Sequence, residues 1–384
     1  MNMGYTELKI RLMQLGAVFT SRARSKMCQG SCGQIYFSDY PTTSGVVLKI
    51  DHKMYVNVPV KMEGTPFRID DEEGRLVMKV RDICLPLQIE IMKEPEYALT
   101  GKRLDDKIPV RELVMTHADR LRISPIFGCS HHCRFCTCCL AGYREIPLHN
   151  LDRAVQIALK DPNNTPRHVL ISGGTPRMGQ SNYAYMNEVY RFFPNKYKEL
   201  KFDVMLSPRG KDAVMKPTES EYEEFLLFLK EECKVATMSV NLELYNEEKR
   251  KNYIYGKWKI GKDRYFKFIK KAVRIFGGKN IRSSLVVGLE SEKDTLEGVR
   301  ALADCGCVPV LSAFVPAAET GNMKKPEPKF LLDVVHKASK IAEQKEMKLG
   351  PVLYRACTHN SLTEEEGSIS IPDEIYREIL RYKE

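Results

Sequence analysis

The chain of 384 residues carries 60 basic and 50 acidic side chains, a net charge of +10, with 43% hydrophobic and 29% charged residues. That balance excludes a disordered chain and leaves room for a barrel of about 250 residues with a second module. No run of about 18 uncharged apolar residues occurs, so no membrane span is expected. The N-terminal MNMGYTELKIRLMQLGAVF has charges inside its apolar stretch and no small-residue cleavage site, unlike a secretory signal. The expected location is therefore cytoplasmic. In a reducing compartment disulfides are disfavoured, so among twelve cysteines those that cluster point to metal or redox chemistry. Cys84, Cys233, Cys305 and Cys307 lie in or beside apolar segments and read as packing thiols.

Residues 1–118 read as a small β-rich N-terminal domain. A short amphipathic helix over 5–15 is followed by hairpin patterns: 46–50 and 54–58 flank Asp51-His52-Lys53, and a second pair flanks the turn at 71–74. Residues 85–92 read as a further strand. From Asp119 onward strands and helices alternate. Strands are predicted at 121–127, 168–172, 202–206, 236–241, 281–287, 308–314 and 350–354, and helices at 151–160, 183–193, 219–232, 263–276, 293–303 and 329–345. Ser291 and Asp294 form a capping-box pattern ahead of the fifth helix. Six strand–helix repeats with a closing strand predict an α/β fold: a complete or partial parallel (β/α) TIM-type barrel over 119–355, followed by a C-terminal tail at 356–384. In such barrels chemistry sits where strands end and helices begin.

At the end of the first strand stands Cys129-Ser-His-His-Cys133-Arg-Phe-Cys136. Three thiolates within eight residues can fold around one metal centre from a single loop. Four would complete a structural zinc site or a four-cysteine cluster. Three leave one iron of a 4Fe–4S cluster without a protein ligand, the open position that a reactive site needs. Zinc is the alternative, with His131, His132, Cys138 or Cys139 as fourth ligand. Zinc sites favour two matched C-x2-C pairs, and a second pair is missing here.

The C-x3-C-x2-C pattern, with aromatic Phe135 before the last cysteine, resembles the signature of the radical S-adenosylmethionine (SAM) superfamily. The resemblance implies that SAM chelates the unique iron and that reduction breaks a carbon–sulfur bond, yielding a 5′-deoxyadenosyl radical. Later strand ends are similar in the same order. Ser172-Gly173-Gly174-Thr175-Pro176 resembles the glycine pair that meets SAM's amino group, with Thr175 where the family often has Glu. Asn241-Leu242-Glu243 resembles the ribose-binding motif of the biotin synthase branch. An amide and a carboxylate two residues apart on extended chain point the same way, which suits a vicinal diol. Gly288, within Val286-Val287-Gly288-Leu289-Glu290, resembles the turn near adenine. Phe314-Val315-Pro316 with Thr320-Gly321 resembles that branch's next segment, and Arg209 of Ser207-Pro208-Arg209 corresponds to a ligand for SAM's carboxylate.

Residues 1–118 resemble the N-terminal part of biotin-synthase-related proteins, a group that includes one component of a two-protein lipoyl synthase. Cys28, Cys32 and Cys84 are the candidates there for a second iron–sulfur cluster acting as sulfur donor. The barrel cysteines that hold such a cluster in biotin synthase have no counterparts, which argues against that activity. Implied partners are an electron donor such as ferredoxin or flavodoxin, and an acidic carrier protein or a second radical SAM subunit. Cys357, after the last predicted strand, is the candidate for direct action on substrate, donating hydrogen or ligating an auxiliary cluster; a buried thiol is its bland alternative.

Other readings stay open. Within the enzyme class, sulfur insertion competes with a lyase or mutase reaction on a small metabolite. Outside it stands a non-catalytic iron–sulfur or zinc protein binding nucleic acid through 249–279, where Asp263 is the sole acidic residue. Phe266, Ile269, Val273 and Phe276 recur there at three and four, which favours an ordinary solvated helix face over nucleic-acid binding.

Overall fold

The description covers residues 1–27, 45–105, 107–140, 142–351 and 355–382 of a computed structural model. Six parallel strands, β1 (Arg120–Ile123), β2 (His168–Ile171), β3 (Lys201–Met205), β4 (Thr237–Ser239), β5 (Ile281–Val287) and β6 (Val308–Ala313), pair in sequential order. A seventh, Val114–His117, lies antiparallel against β1 and was missed in the sequence. The sheet curls into a partial barrel. Its crossovers carry α1 (Leu148–Leu159), α2 (Gln180–Lys196), α3 (Glu219–Leu227), α4 (Lys262–Phe276), α5 (Glu292–Asp304) and α6 (Pro328–Glu343). The predicted closing strand at 350–354 lies largely outside the described residues. Gly350 N donates to Pro309 O at 2.9 Å, beside the start of β6.

Local chemistry explains most boundaries. The predicted strand 121–127 is cut in two because Pro125 has no N–H to continue a ladder. Beyond it, Ile126–Phe127 pairs instead with Arg144–Glu145. Ser291 caps α5 by accepting from Asp294 N at 3.1 Å, and its hydroxyl donates to the Asp294 carboxylate at 2.6 Å. Thr218 and Glu221 form a full capping box on α3 that the sequence reading overlooked. On α4 the buried stripe is Tyr265, Phe268, Ile269, Ala272 and Phe276, one residue out of phase with the predicted Phe266 and Val273, which are only partly buried. Two lysines of α4 meet acids: buried Lys271 has its Nζ 2.8 Å from Glu223 Oε2, and exposed Lys267 lies 3.5 Å from Glu219.

Two large apolar cores organise the described residues. The barrel core recruits Tyr97, Leu104, Val110 and Leu113. The N-terminal core joins Leu8, Leu48, Val56 and Ile69 to Ile369, Ile375 and Ile379, so the predicted tail is structural. Ser368–Ser370 pairs antiparallel with Asn2–Gly4, and Asp373–Arg381 is helical. Of the four cysteines read as packing thiols, Cys233 and Cys307 are buried and Cys305 is half-buried. Cys84 is exposed, its Sγ 3.9 Å from Glu72, because it ends a two-residue edge strand.

A buried ion pair ties the first helix to the C-terminal segment. Lys9 Nζ, fully buried, lies 2.8 Å from Glu365 Oε1 and 2.6 Å from Thr363 Oγ1. Removing one partner of such a pair strands the other charge in a low dielectric, at a cost of about 3–5 kcal/mol, whereas replacing both by apolar groups is near neutral. Lys9→Met should therefore lower stability by about that amount. Lys9→Met/Glu365→Leu should recover most of the loss, as measured by denaturant melts in a double-mutant cycle.

Candidate active site

The loop after β1 begins at Gly128 and carries Cys129, Cys133 and Cys136 across the mouth of the barrel. It is held from two sides. Ser130 N donates to Thr175 O at 3.2 Å, and Thr175 N donates to Cys129 Sγ at 3.3 Å, both from the β2 end. Arg134 N donates to Tyr253 O at 2.9 Å, from the β4 crossover. Gly173 and Gly174 make this packing possible. A Cβ on Gly174 would stand 1.5 Å from Gly128 O, and Gly173 has a φ of +112° that L side chains rarely adopt. The glycine pair thus has a structural reason that the sequence reading did not supply: the cysteine loop rests on its backbone.

The three thiols lie along one wall of a cavity of about 640 Å³. Phe135, Gly173, Gly174, Thr175, Arg209, Asn241 and Glu243 also line it. Gly288 and Phe314 do not. Gly288 turns the chain against the Pro326 ring, and Phe314 is buried in an apolar cluster with Cys133, Leu244, Ile254 and Val286 that backs the cysteine loop. Burial pushes the Cys133 thiol up to about 12, partly offset by the Lys257 ammonium. A hydrogen bond with Cys138, then burial, raises Cys136 as well. Thiols held neutral in this way must release protons to bind metal.

The donor set fits a 4Fe–4S cluster and SAM. Three cysteines leave one iron for an external ligand. Cys129, Cys133 and Cys136 form no group of sulfurs within 4.8 Å, as a single small ion would require. His131, a possible zinc ligand by sequence, points elsewhere: its Nε2 lies 2.9 Å from Ser207 Oγ, and burial lowers its pKa to about 3. Arg209 is buried between the rings of Tyr183 and Phe225, its guanidinium 4.1 Å and 4.6 Å from their centroids. Its Nε donates to Gly210 O and its Nη2 to Asn187 Oδ1, leaving Nη1 with no partner among the described residues. A buried guanidinium nitrogen of this kind suits an anionic group.

Asn241 and Glu243 follow β4. Asn241 Oδ1 accepts from Ser239 Oγ at 2.7 Å and from Ser284 N at 3.2 Å, which fixes the amide. Glu243, at φ +67°, meets a residue that the sequence reading missed: Lys257 Nζ lies 2.8 Å from Glu243 Oε1 and 2.9 Å from Asn241 O. Burial opposes the charge on Lys257, yet Glu243 together with Tyr265 and Cys133 raises its pKa on balance and keeps the ammonium. Lys257 sits on the short helix Tyr255–Ile260, within the stretch read as a solvated basic face. The i+4 stripe of α4 masked the different role of the residues just before it.

Cys357 is not at this rim. Its Sγ lies 3.4 Å from His168 Nε2 and 3.5 Å from Asp119 Oδ1, where β1 and β2 begin. The 3-10 turn Arg355–Asn360 therefore sets this thiol beside strand beginnings, away from the cavity that the cysteine loop lines. Cys28 and Cys32 lie outside the described residues. Cys84 belongs to no group of three metal-ligating side chains among the described residues.

Residues 123–303 match the family model of the Radical SAM superfamily. No curated protein matches the chain. Among solved structures, a radical SAM methyltransferase from Sphaerobacter thermophilus is similar over 79% of this chain and 82% of its own, at 15% identity and a TM-score of 0.43. The FeFe-hydrogenase maturase HydG from Carboxydothermus hydrogenoformans is similar over 68% of this chain and 56% of its own, at 17% identity and a TM-score of 0.44. No helix among the described residues is long and apolar enough to cross a membrane.

The loop–glycine contact gives a direct test. Gly174→Ala forces a Cβ into the Gly128 carbonyl, a clash whose relief costs about 1–3 kcal/mol or more. Anaerobic reconstitution of this variant should yield roughly tenfold less cluster iron per chain, while far-UV circular dichroism stays that of the folded barrel.

Proposed function

We propose that the chain is a radical SAM enzyme that binds SAM and a 4Fe–4S cluster at the mouth of the partial barrel and abstracts hydrogen from a substrate C–H bond. The observation that carries the proposal is the convergence of Cys129, Cys133 and Cys136 with Gly173, Gly174, Arg209, Asn241 and Glu243 on one cavity of about 640 Å³. When bound, the cluster supplies the electron that splits SAM. The rest is positioning by this chain. The partnerless Nη1 of Arg209 is the group to receive SAM's carboxylate. Asn241 and Glu243 present an amide and a carboxylate for hydroxyls, with Lys257 holding Glu243 in place. Phe135, Met178, Tyr183 and Met205 add an apolar wall that limits access of water.

A narrower form of the proposal is sulfur insertion into an acyl chain on an acidic carrier, as in the lipoyl synthase component of the biotin-synthase-related branch. Its support is sequence: the Asn241-Leu242-Glu243 motif and the cysteines Cys28, Cys32 and Cys84. An electron donor such as ferredoxin or flavodoxin belongs to the same proposal. The decisive measurement is 5′-deoxyadenosine formation by anaerobically reconstituted, reduced protein. Changing Cys129, Cys133 and Cys136 together to Ala should abolish it. Cleavage retained by that variant overturns the assignment. Protein that forms 5′-deoxyadenosine but transfers no sulfur to a carrier-bound acyl chain overturns the narrower form alone.

A further inference from the structure

The end of the barrel away from the cysteine loop, where the strands begin, gathers three ligand-type side chains from separate segments. Asp119 lies in the turn between Val114–His117 and β1, His168 opens β2, and Cys357 sits in the 3-10 turn Arg355–Asn360. Their donor atoms all lie within 4.8 Å of one another. His168 and Cys357 are each 1% exposed, and Asp119 is half-buried. We propose that Asp119, His168 and Cys357 hold one zinc ion that fastens the C-terminal turn to the underside of the barrel.

Three lines of chemistry support this. Zinc bonds of about 2.0–2.3 Å in a tetrahedron set neighbouring donors roughly 3.3–3.7 Å apart. The Sγ–Nε2 separation of 3.4 Å and the Sγ–Oδ1 separation of 3.5 Å already match that spacing. Thiolate, imidazole and carboxylate are the ligand types that a borderline-soft ion accepts together. Charge also balances. The Cys357 thiol proton leaves to solvent as the sulfur–zinc bond forms, so Zn²⁺ with one thiolate and one carboxylate is neutral. A neutral centre can sit beside Arg120 and Arg282, whose charges are felt at Cys357, without burying net charge. Arg282 is itself paired with Asp203.

The fourth position falls to water, which can reach the site past half-buried Asp119. With His168 and Cys357 both buried, the role assigned to the ion is to hold the turn in place. The consequence lies a few residues on: Leu362 N donates to Leu311 O at 2.7 Å, laying the C-terminal segment along the edge strand β6. This site is independent of the radical chemistry at the opposite rim.

Zinc and iron counted per chain separate the two centres. The Cys129/Cys133/Cys136→Ala variant, loaded with zinc sulfate and washed with a mild chelator, should keep one zinc and lose cluster iron. In that background His168→Ala and Cys357→Ala should each lower zinc about tenfold, as loss of a ligand does. If either fails to fold, zinc-edge absorption fine structure on the parent variant decides: one sulfur with nitrogen and oxygen neighbours is expected. No bound zinc, zinc retained by both substitutions, or a shell of several sulfurs overturns the proposal.

Discussion

Six strands running in one direction set the constraint from which the rest follows. Every crossover must leave the sheet at the same rim, so each strand can deliver one short segment to a common mouth. β1 delivers the cysteine loop, β2 the glycine pair, β3 Arg209, and β4 Asn241 and Glu243. Because neighbouring strands are hydrogen-bonded in register, the segments from β1 and β2 are pressed together, and Gly174 is the only residue type that lets Gly128 O approach. The site is assembled by backbone geometry before any side chain acts.

The interior of the barrel is polar where apolar layers would be the usual filling. Asp203 on β3 is fully buried and paired with Arg282 on β5, and Arg122 and His168 are buried on the same face of the sheet. Buried charges of this kind cost solvation and offset it only through good pairing. Such a lining is tolerable in a half-barrel because segments from outside the sheet reach its interior and offer partners. The C-terminal turn does so from below, where Cys357 meets His168 and His359 Nδ1 meets Ala356 O at 3.0 Å. The N-terminal helix holds the same segment through Lys9 and Glu365.

Much of the layout was legible from residues alone. Strand–helix alternation gave all six parallel strands to within a few residues, since period and turn chemistry are local signals. The cysteine spacing and the glycine pair marked the site because each answers to a short-range need, a shared metal centre or a close backbone approach. What escaped was set by distant contacts. Lys257 looks like one more lysine in a basic stretch until Glu243, fourteen residues earlier in the chain, is seen beside it. Val114–His117 became a strand only by pairing with β1, and the C-terminal residues became core only by meeting the N-terminal strands. None of these has a periodic signature of its own.

Cys357 shows why position after a strand is not enough to assign a rim. The inference that residues beyond a barrel strand sit at its catalytic end assumes that the chain stays there. Here the 3-10 turn Arg355–Asn360 lies at the lower end, with Cys357 Sγ 3.4 Å from His168 Nε2 where β2 begins. The thiol therefore faces Asp119 and His168, the first residues of the sheet. The same parallel register that gathers substrate-facing groups at one end gathers strand beginnings at the other. A histidine opening a strand and an aspartate ending a turn are thereby brought within reach of a single atom. The two ends of one barrel thus differ in character: a mouth lined by the cysteine loop around a cavity, and an underside where His168 and Cys357 are buried against each other.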